Sequence, residues 1–181
     1  GIRWIRLMYC YEDKITDELI DTMAREEKIC HYIDIPIQHS SDRILKAMNR
    51  KSTKTSIMST ISKLRAKMPD INIRTTLITG FPGETEEDFD ELYNFVSEMK
   101  FERLGIFAYS REEGTPADKM KGHIRQDIKE KRRDSIMLMQ TEISLSKNRE
   151  KIGKTIEVIV DGKDDDGSYY GRSSYDAPEI D

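Results

Sequence analysis

The stretch Asn72–Glu84, NIRTTLITGFPGE, decides the fold. Ile73, Thr75, Leu77 and Thr79 alternate with Arg74, Thr76, Ile78 and Gly80, and neither set is purely polar, as expected of a parallel strand covered on both faces. The strand runs into Gly80-Phe81-Pro82-Gly83, where two glycines open backbone conformations closed to other residues and Pro82 fixes a dihedral between them. A helix start follows at Thr85, with Asp88 three residues on and Glu86 and Glu87 in the first turn. In a parallel α/β protein, a strand that hands a rigid backbone loop to a helix is where ligands bind. A plain strand-to-helix connection has the same turn; the reading extends further because other strand ends also carry polar residues.

Outward from this stretch the pattern repeats. Arg3–Tyr9 reads as a strand, followed by a helix from Thr16 to about Glu27 with Leu19, Ile20, Met23 and Ala24 on one face. Tyr32–Ile37 is a second strand. Pro36 predicts an irregularity near its end, and Asp34 in an apolar run requires a partner if buried. It ends in Gln38-His39-Ser40-Ser41, and Ser41 caps a short helix carrying Ile44, Leu45 and Met48. Ser56–Met68 is helical and stopped by Pro69, and Glu86–Lys100 carries Phe89, Leu92, Tyr93, Val96 and Met99. Arg103–Ser110 is a fourth strand, ending in Arg111–Ala117. The order predicts a parallel α/β sheet with right-handed crossovers, either open or part of a barrel.

Beyond it, residues 118–124 read as a mobile segment around Gly122. A long helix spans roughly Gln126–Lys151, with Ile128, Ile136, Met139 and Ile143 on one face and Lys129, Arg132 and Arg133 on a solvated one. From Gly153 the composition turns β-rich. Thr155–Val160 and Ser168–Arg172 read as strands, and Asp161-Gly162 and Asp164–Gly167 as turns of a small all-β appendage. The chain begins on a strand and ends within this appendage, so it is expected to be an internal piece of a longer protein.

The 181-residue chain has a net charge of −4 and 35% charged residues, so no large basic field announces nucleic acid. Its two cysteines, Cys10 and Cys30, form neither a CxxC pair nor a disulfide framework. No apolar run reaches transmembrane length, and a reducing cytoplasm is the default compartment. His31 and His39 are too far apart in sequence for a local metal pair; His39 reads either as a ligand contact or as a loop residue against Asp42. Asp164-Asp165-Asp166 lacks the full spacing and closing glutamate of a calcium loop. The glycine turn lacks the Walker lysine and the GxGxxG spacing. A nucleotide-like cofactor is expected on one rim formed by Gln38, His39 and Ser40, by Gly80, Phe81, Pro82, Gly83 and Glu84, and by Tyr109 and Ser110. Arg74 and Thr76 either face the cofactor, with Arg74 on a carboxylate, or pair within the sheet.

Three segments, DIPIQHSSDRILKAMNR (34–50), RTTLITGFPGETEEDF (74–89) and FAYSREEGTPA (107–117), closely resemble the radical S-adenosylmethionine methylthiotransferases. Within them the chain resembles the RimO family, which adds a methylthio group to the β-carbon of an aspartate in the small-subunit ribosomal protein S-twelve. The tRNA-modifying branch has serine-glycine-serine where this chain has His39-Ser40-Ser41, and Arg-Pro-Gly where it has Glu112-Glu113-Gly114. The resemblance implies the later part of a (βα)6 barrel over 1–124, a long helix over 125–152 and the start of a TRAM module over 153–181. It implies S-adenosylmethionine and two four-iron four-sulfur clusters in the whole protein. The CxxxCxxC loop that would hold the radical-generating cluster is absent from this sequence, so no catalytic or metal residue is assigned and the isolated chain is expected to be inert. A basic ribosomal protein is the expected partner, received by Asp164, Asp165, Asp166 and Glu179, with no membrane partner and nucleic acid disfavoured as direct substrate. A tRNA adenosine methylthiotransferase and a non-enzymatic protein-binding module are the alternatives.

Overall fold

A computed structural model describes residues 1–178. Four parallel strands, β1 (Ile5–Leu7), β2 (Ile29–Gln38), β3 (Asn72–Thr79) and β4 (Arg103–Ala108), pair in the order of the chain. Between them run α1 (Asp17–Arg25), α2 (Asp42–Ala47), α3 (Lys54–Lys67) and α4 (Glu86–Met99); α5 (Gln126–Arg149) follows β4. The antiparallel hairpin β5 (Val158–Lys163) and β6 (Tyr169–Ser173) forms a separate small sheet.

Strand alternation divides the parallel sheet into two faces. Ile33, Ile35 and Ile37 of β2, Ile73 and Leu77 of β3, and Leu104 and Ile106 of β4 join the core made with α1, α3, α4 and Ile136 of α5. Thr75, on the same face, donates its hydroxyl to the Ile35 carbonyl at 2.8 Å. The helices therefore lie on one side, as the alternating βα pattern predicts. The other face carries Asp34, Arg74, Thr76, Ile78 and Phe107, and it is partly open: Phe107 remains 62% exposed. At the N-terminal end of the strands this inner face is covered. Ala177 packs with Cys30, Tyr32, Trp4 and Met8, Arg6 donates to the Ser173 carbonyl at 2.6 Å, and Arg103 pairs with Asp176 at 2.9 Å. The C-terminal ends of the strands are left accessible.

Local chemistry explains the departures from the sequence reading. The first strand is shorter than Arg3–Tyr9, and β2 begins earlier, at Ile29. The register of β2 against β3 shifts between Ile35 and Gln38, which brackets Pro36, the residue that cannot donate to the ladder. Asp161-Gly162 is not a turn: both residues lie within β5 at a register irregularity, where Gly162 sits so close to the Tyr170 ring that a Cβ would meet its hydroxyl at 2.4 Å. The turn is the acidic run, closed by Asp164 N donating to the Ser168 carbonyl and Ser168 N donating to Asp166 Oδ1, both at 2.8 Å. The 118–124 segment is docked rather than detached, because the Gly122 carbonyl accepts from Gly83 N at 2.9 Å.

Phe95 is fully buried against Phe101, with ring centroids 5.8 Å apart. Phe95→Ala is expected to cost about 3–5 kcal/mol of stability in denaturant unfolding. A loss under about 1 kcal/mol would mean that the helix-side core is not packed as described.

Candidate functional site

Three strand ends converge on one rim. β2 ends with Gln38 in the left-handed region (φ 73°) and continues into His39, Ser40 and Ser41. β3 ends at Thr79 and turns at Gly80 (φ 74°), and Tyr109 N, just beyond β4, donates to the Thr79 carbonyl at 2.8 Å. Gly80 is required twice over. Its φ suits only glycine well, and a Cβ there would lie 2.2 Å from Lys129 Cγ.

The turn rests on buried charge. Glu84 Oε2 accepts from Gly80 N at 2.7 Å, while its Oε1 takes Arg132 Nη1 at 2.6 Å. His39, also fully buried, accepts from Ser41 N through Nδ1 at 2.9 Å; its Nε2 stands 3.4 Å from Glu84 Oε2, within ion-pair distance but without hydrogen-bond geometry. His39 therefore packs on Glu84, not on Asp42. Lys129 donates through Nζ to the Tyr109 carbonyl at 2.9 Å, and its own carbonyl accepts from Thr79 Oγ1 at 3.1 Å. On the outer side Ser41 Oγ donates to Asp88 Oδ1 at 2.7 Å. Arg43 pairs with Asp88 and donates to the Gly83 carbonyl at 2.8 Å. Burial alone would raise the Asp88 pKa. Bonds from Ser41, the Thr85 backbone and Arg43 instead hold its carboxyl well below the ordinary carboxylate range.

Inside the rim lies a cavity of about 510 Å³, walled by Thr76, Ile78, Phe107 and Tyr109 and bordered by Gln38 and Ser110. Phe81 meets Tyr109 edge-on at 5.3 Å between centroids and packs with Ile44 beneath the rim. The Ser40 and Tyr109 hydroxyls are buried and make no hydrogen bond among the described residues. Buried hydroxyls of this kind fit a site that completes its bonding with ligand or water.

Of the residues singled out in the sequence, Gln38, Thr76 and Tyr109 line the cavity. Gly80, Phe81, Pro82 and Gly83 form the turn beside it. Arg74 lies on the inner face but pairs with Asp34 at 3.1 Å, the partner that Asp34 required. Glu84, expected at the rim, anchors the turn, Ser110 lines the cavity as expected, and Lys129 and Arg132 complete the site. Lys129 and Arg132 are not solvated: both are 6% exposed. The available signal was their spacing, since Lys129, Arg132, Ile136 and Gln140 follow a 3, 4, 4 pattern that places them on one buried helix face.

The description "Radical SAM superfamily" fits residues 4–96, slightly more than half of the chain. The chain belongs to the radical SAM superfamily. A TRAM domain match covers residues 152–181. The chain is 52% identical over 181 residues to the "Ribosomal protein uS12 methylthiotransferase RimO" of Clostridioides difficile (strain 630), covering 100% of this chain and 41% of that protein. It is 54% identical over 183 residues to the protein of the same name from Desulforamulus reducens (strain ATCC BAA-1160 / DSM 100696 / MI-1), with 100% and 41% coverage. The chain thus spans about two fifths of the length of the curated relatives it matches. Among solved structures, the radical SAM enzyme coproporphyrinogen III oxidase (HemN) from Escherichia coli superposes with a TM-score of 0.64 at 19% identity, over 77% of this chain and 32% of that one. The radical S-adenosylmethionine methyltransferase TsrM from Kitasatospora setae gives 0.52 at 19% identity, over 63% and 22%. These likenesses confirm the parallel radical SAM fold.

The residues present fit one family group and not the other. The apolar cavity and unpartnered hydroxyls suit an adenosyl ligand. A four-iron four-sulfur cluster needs several thiolates. Here Cys10 follows β1, while Cys30 lies near the start of β2, four residues or about 13 Å of strand from Asp34, whose carbonyl accepts from Cys10 N. Burial pushes both thiols up, away from the thiolate form. Among the described residues no group of three or more His, Cys, Asp and Glu could hold a metal ion.

The depressed Asp88 pKa fixes a pH dependence. A carboxyl whose folded pKa lies below its unfolded value stabilises fully above about pH 4, and that stability is lost as pH falls towards the folded value. Asp88→Asn is expected to cost about 0.5–2 kcal/mol at pH 7, with the gap from wild type narrowing below about pH 4 in denaturant titrations. A gap that stays constant down to pH 2 would contradict the assignment.

Proposed function

We propose that this rim binds S-adenosylmethionine in an enzyme that methylthiolates an aspartate of ribosomal protein uS12. The observation that carries the reading is the rim cavity itself: Ile78, Phe107 and Tyr109 form an apolar wall beside the Gly80–Gly83 backbone turn. In that arrangement the adenine lies against the apolar wall, Gln38 serves its polar edge, and Thr76 and the Ser40 and Tyr109 hydroxyls complete the contacts, while the Gly80–Gly83 turn, its own glycine amides already bonded to Glu84 and Gly122, borders the site as a fixed edge. Arg74, held by Asp34, shapes the inner face and is the less direct member of the set. S-adenosylmethionine, when bound, supplies the radical-generating and methyl-donating chemistry of the family. What this chain supplies is an apolar wall, a fixed turn and hydrogen-bonding groups beside it. Two iron-sulfur clusters are then held by other parts of the whole protein, since this chain lacks their ligands.

Relatives named for uS12 methylthiolation that are 52% identical over the full chain support this substrate class. The hairpin supports a basic protein partner. Asp161 pairs with Arg172 at 2.9 Å and Asp176 with Arg103 at the same distance, so exposed acidity concentrates at Asp164, Asp165 and Asp166 on the tip. We assign that tip to docking of a lysine- and arginine-rich protein. Glu179, the fourth residue of the expected docking set, lies outside the described residues. We divide the chain into a barrel part (1–124), the long helix (125–152) and the TRAM part (153–181). No helix among the described residues is long and apolar enough to cross a membrane, and a cytoplasmic site of action accords with a ribosomal substrate.

Two measurements on the whole protein test the reading. Phe107 is exposed, so Phe107→Asp is expected to leave folding intact while weakening S-adenosylhomocysteine binding about tenfold in calorimetry, or about 1.4 kcal/mol. Unchanged affinity would refute the rim site. Converting Asp164, Asp165 and Asp166 to lysine is expected to weaken uS12 binding at low salt, with the effect shrinking as salt rises. Undiminished uS12 binding at low salt would refute the docking tip, and productive binding of unmodified tRNA by the wild type would refute the substrate class.

A further inference from the structure

We infer that Lys129 is a positioning residue for the rim, one that sacrifices stability to fix the backbone geometry against which the cofactor binds. The inference rests on the cofactor reading above and concerns a residue beyond the span matched by the radical SAM model.

The ammonium of Lys129 is in an uncommon setting. The residue is 6% exposed, and among the described residues no carboxylate pairs with it. Its Nζ donates to the Tyr109 carbonyl at 2.9 Å and lies 5.2 Å from the centroid of the Tyr109 ring. A carbonyl dipole and a ring face compensate only part of the cost of taking a charge out of water. Replacing buried charge by apolar groups of the same volume is often neutral or stabilising, because the desolvation cost disappears with it; here that gain is set against one hydrogen bond to the Tyr109 carbonyl.

The contacts of Lys129 show what the charge accomplishes. Its methylenes occupy the space over Gly80, and its carbonyl holds the Thr79 hydroxyl at the end of β3. Its ammonium holds the carbonyl at the end of β4. One residue of α5 thus spans both strand ends and the glycine turn. The peptide plane fixed at Tyr109 is the one that carries the Ser110 N–H, and Ser110 lines the cavity. A cation on the carbonyl oxygen orients that plane and polarises its N–H towards a stronger donor. Arg132, one turn along α5, acts on the other side of the turn through Glu84, but there the charge has carboxylate partners. Of the two buried cations, only Lys129 holds the rim by carbonyl and ring alone among the described residues.

The role separates from ordinary packing by the sign of the stability change. Lys129→Met keeps the methylenes over Gly80 and removes the charge. In the whole protein it is expected to leave the melting temperature unchanged or raised, while S-adenosylhomocysteine affinity, measured by calorimetry, falls about tenfold. A Lys129→Met protein that melts lower and loses affinity in step would make Lys129 a packing residue and overturn the inference. Wild-type affinity in Lys129→Met, with Phe107→Asp still weakened, would overturn it while leaving the cofactor reading standing. If neither variant differs from wild type, the rim is not the cofactor site and both fall.

Discussion

A single buried carboxylate, Glu84, ties the rim together. It accepts the Gly80 amide at the end of β3 and an arginine from α5, so the turn and the long helix share one charge network. Both partners are nearly inaccessible, which places the pair where the loss of one member is costly and where its geometry is hard to distort. These supports hold the turn beside the apolar wall of Ile78, Phe107 and Tyr109.

The same arrangement explains why a chain with an overall acidic balance carries cations at its rim. Arg43, Lys129 and Arg132 each bind a backbone carbonyl or a carboxylate of the turn region, so their charges are spent on structure. On the hairpin, the exposed carboxylates gather at the tip, at Asp164, Asp165 and Asp166. The C-terminal segment meanwhile closes the opposite end of the inner face through Ala177 and Asp176. Access to the inner face is therefore from the strand C-termini, the end where parallel α/β proteins place their ligands.

Much of this was legible in the sequence. The βα alternation, the Thr85–Asp88 capping box, the irregularity at Pro36 and the need of Asp34 for a partner all follow from local patterns, and the structure has each of them. What the pattern did not disclose was chemistry that depends on long-range contact. Lys129 and Arg132 read as surface because charged residues are usually solvated, and only their partners on β3, β4 and the turn make their burial tolerable. His39 was ambiguous for a related reason, since its buried neighbour Glu84 is distant in sequence. Asp161-Gly162 has the composition of a turn, but the aromatic ring of Tyr170 across the hairpin makes the glycine a strand position. The partnering of Arg74 with Asp34 required the register of β2 against β3, which follows from packing rather than composition.

The claim on which the account depends is that the Gly80 amide is locked onto Glu84 inside the fold. Native-state hydrogen exchange measures this directly. The account predicts that the Gly80 amide exchanges as slowly as the central amides of β3, and far more slowly than those of Asp165–Gly167 at the hairpin tip. Exchange at Gly80 as fast as at that exposed tip would contradict it.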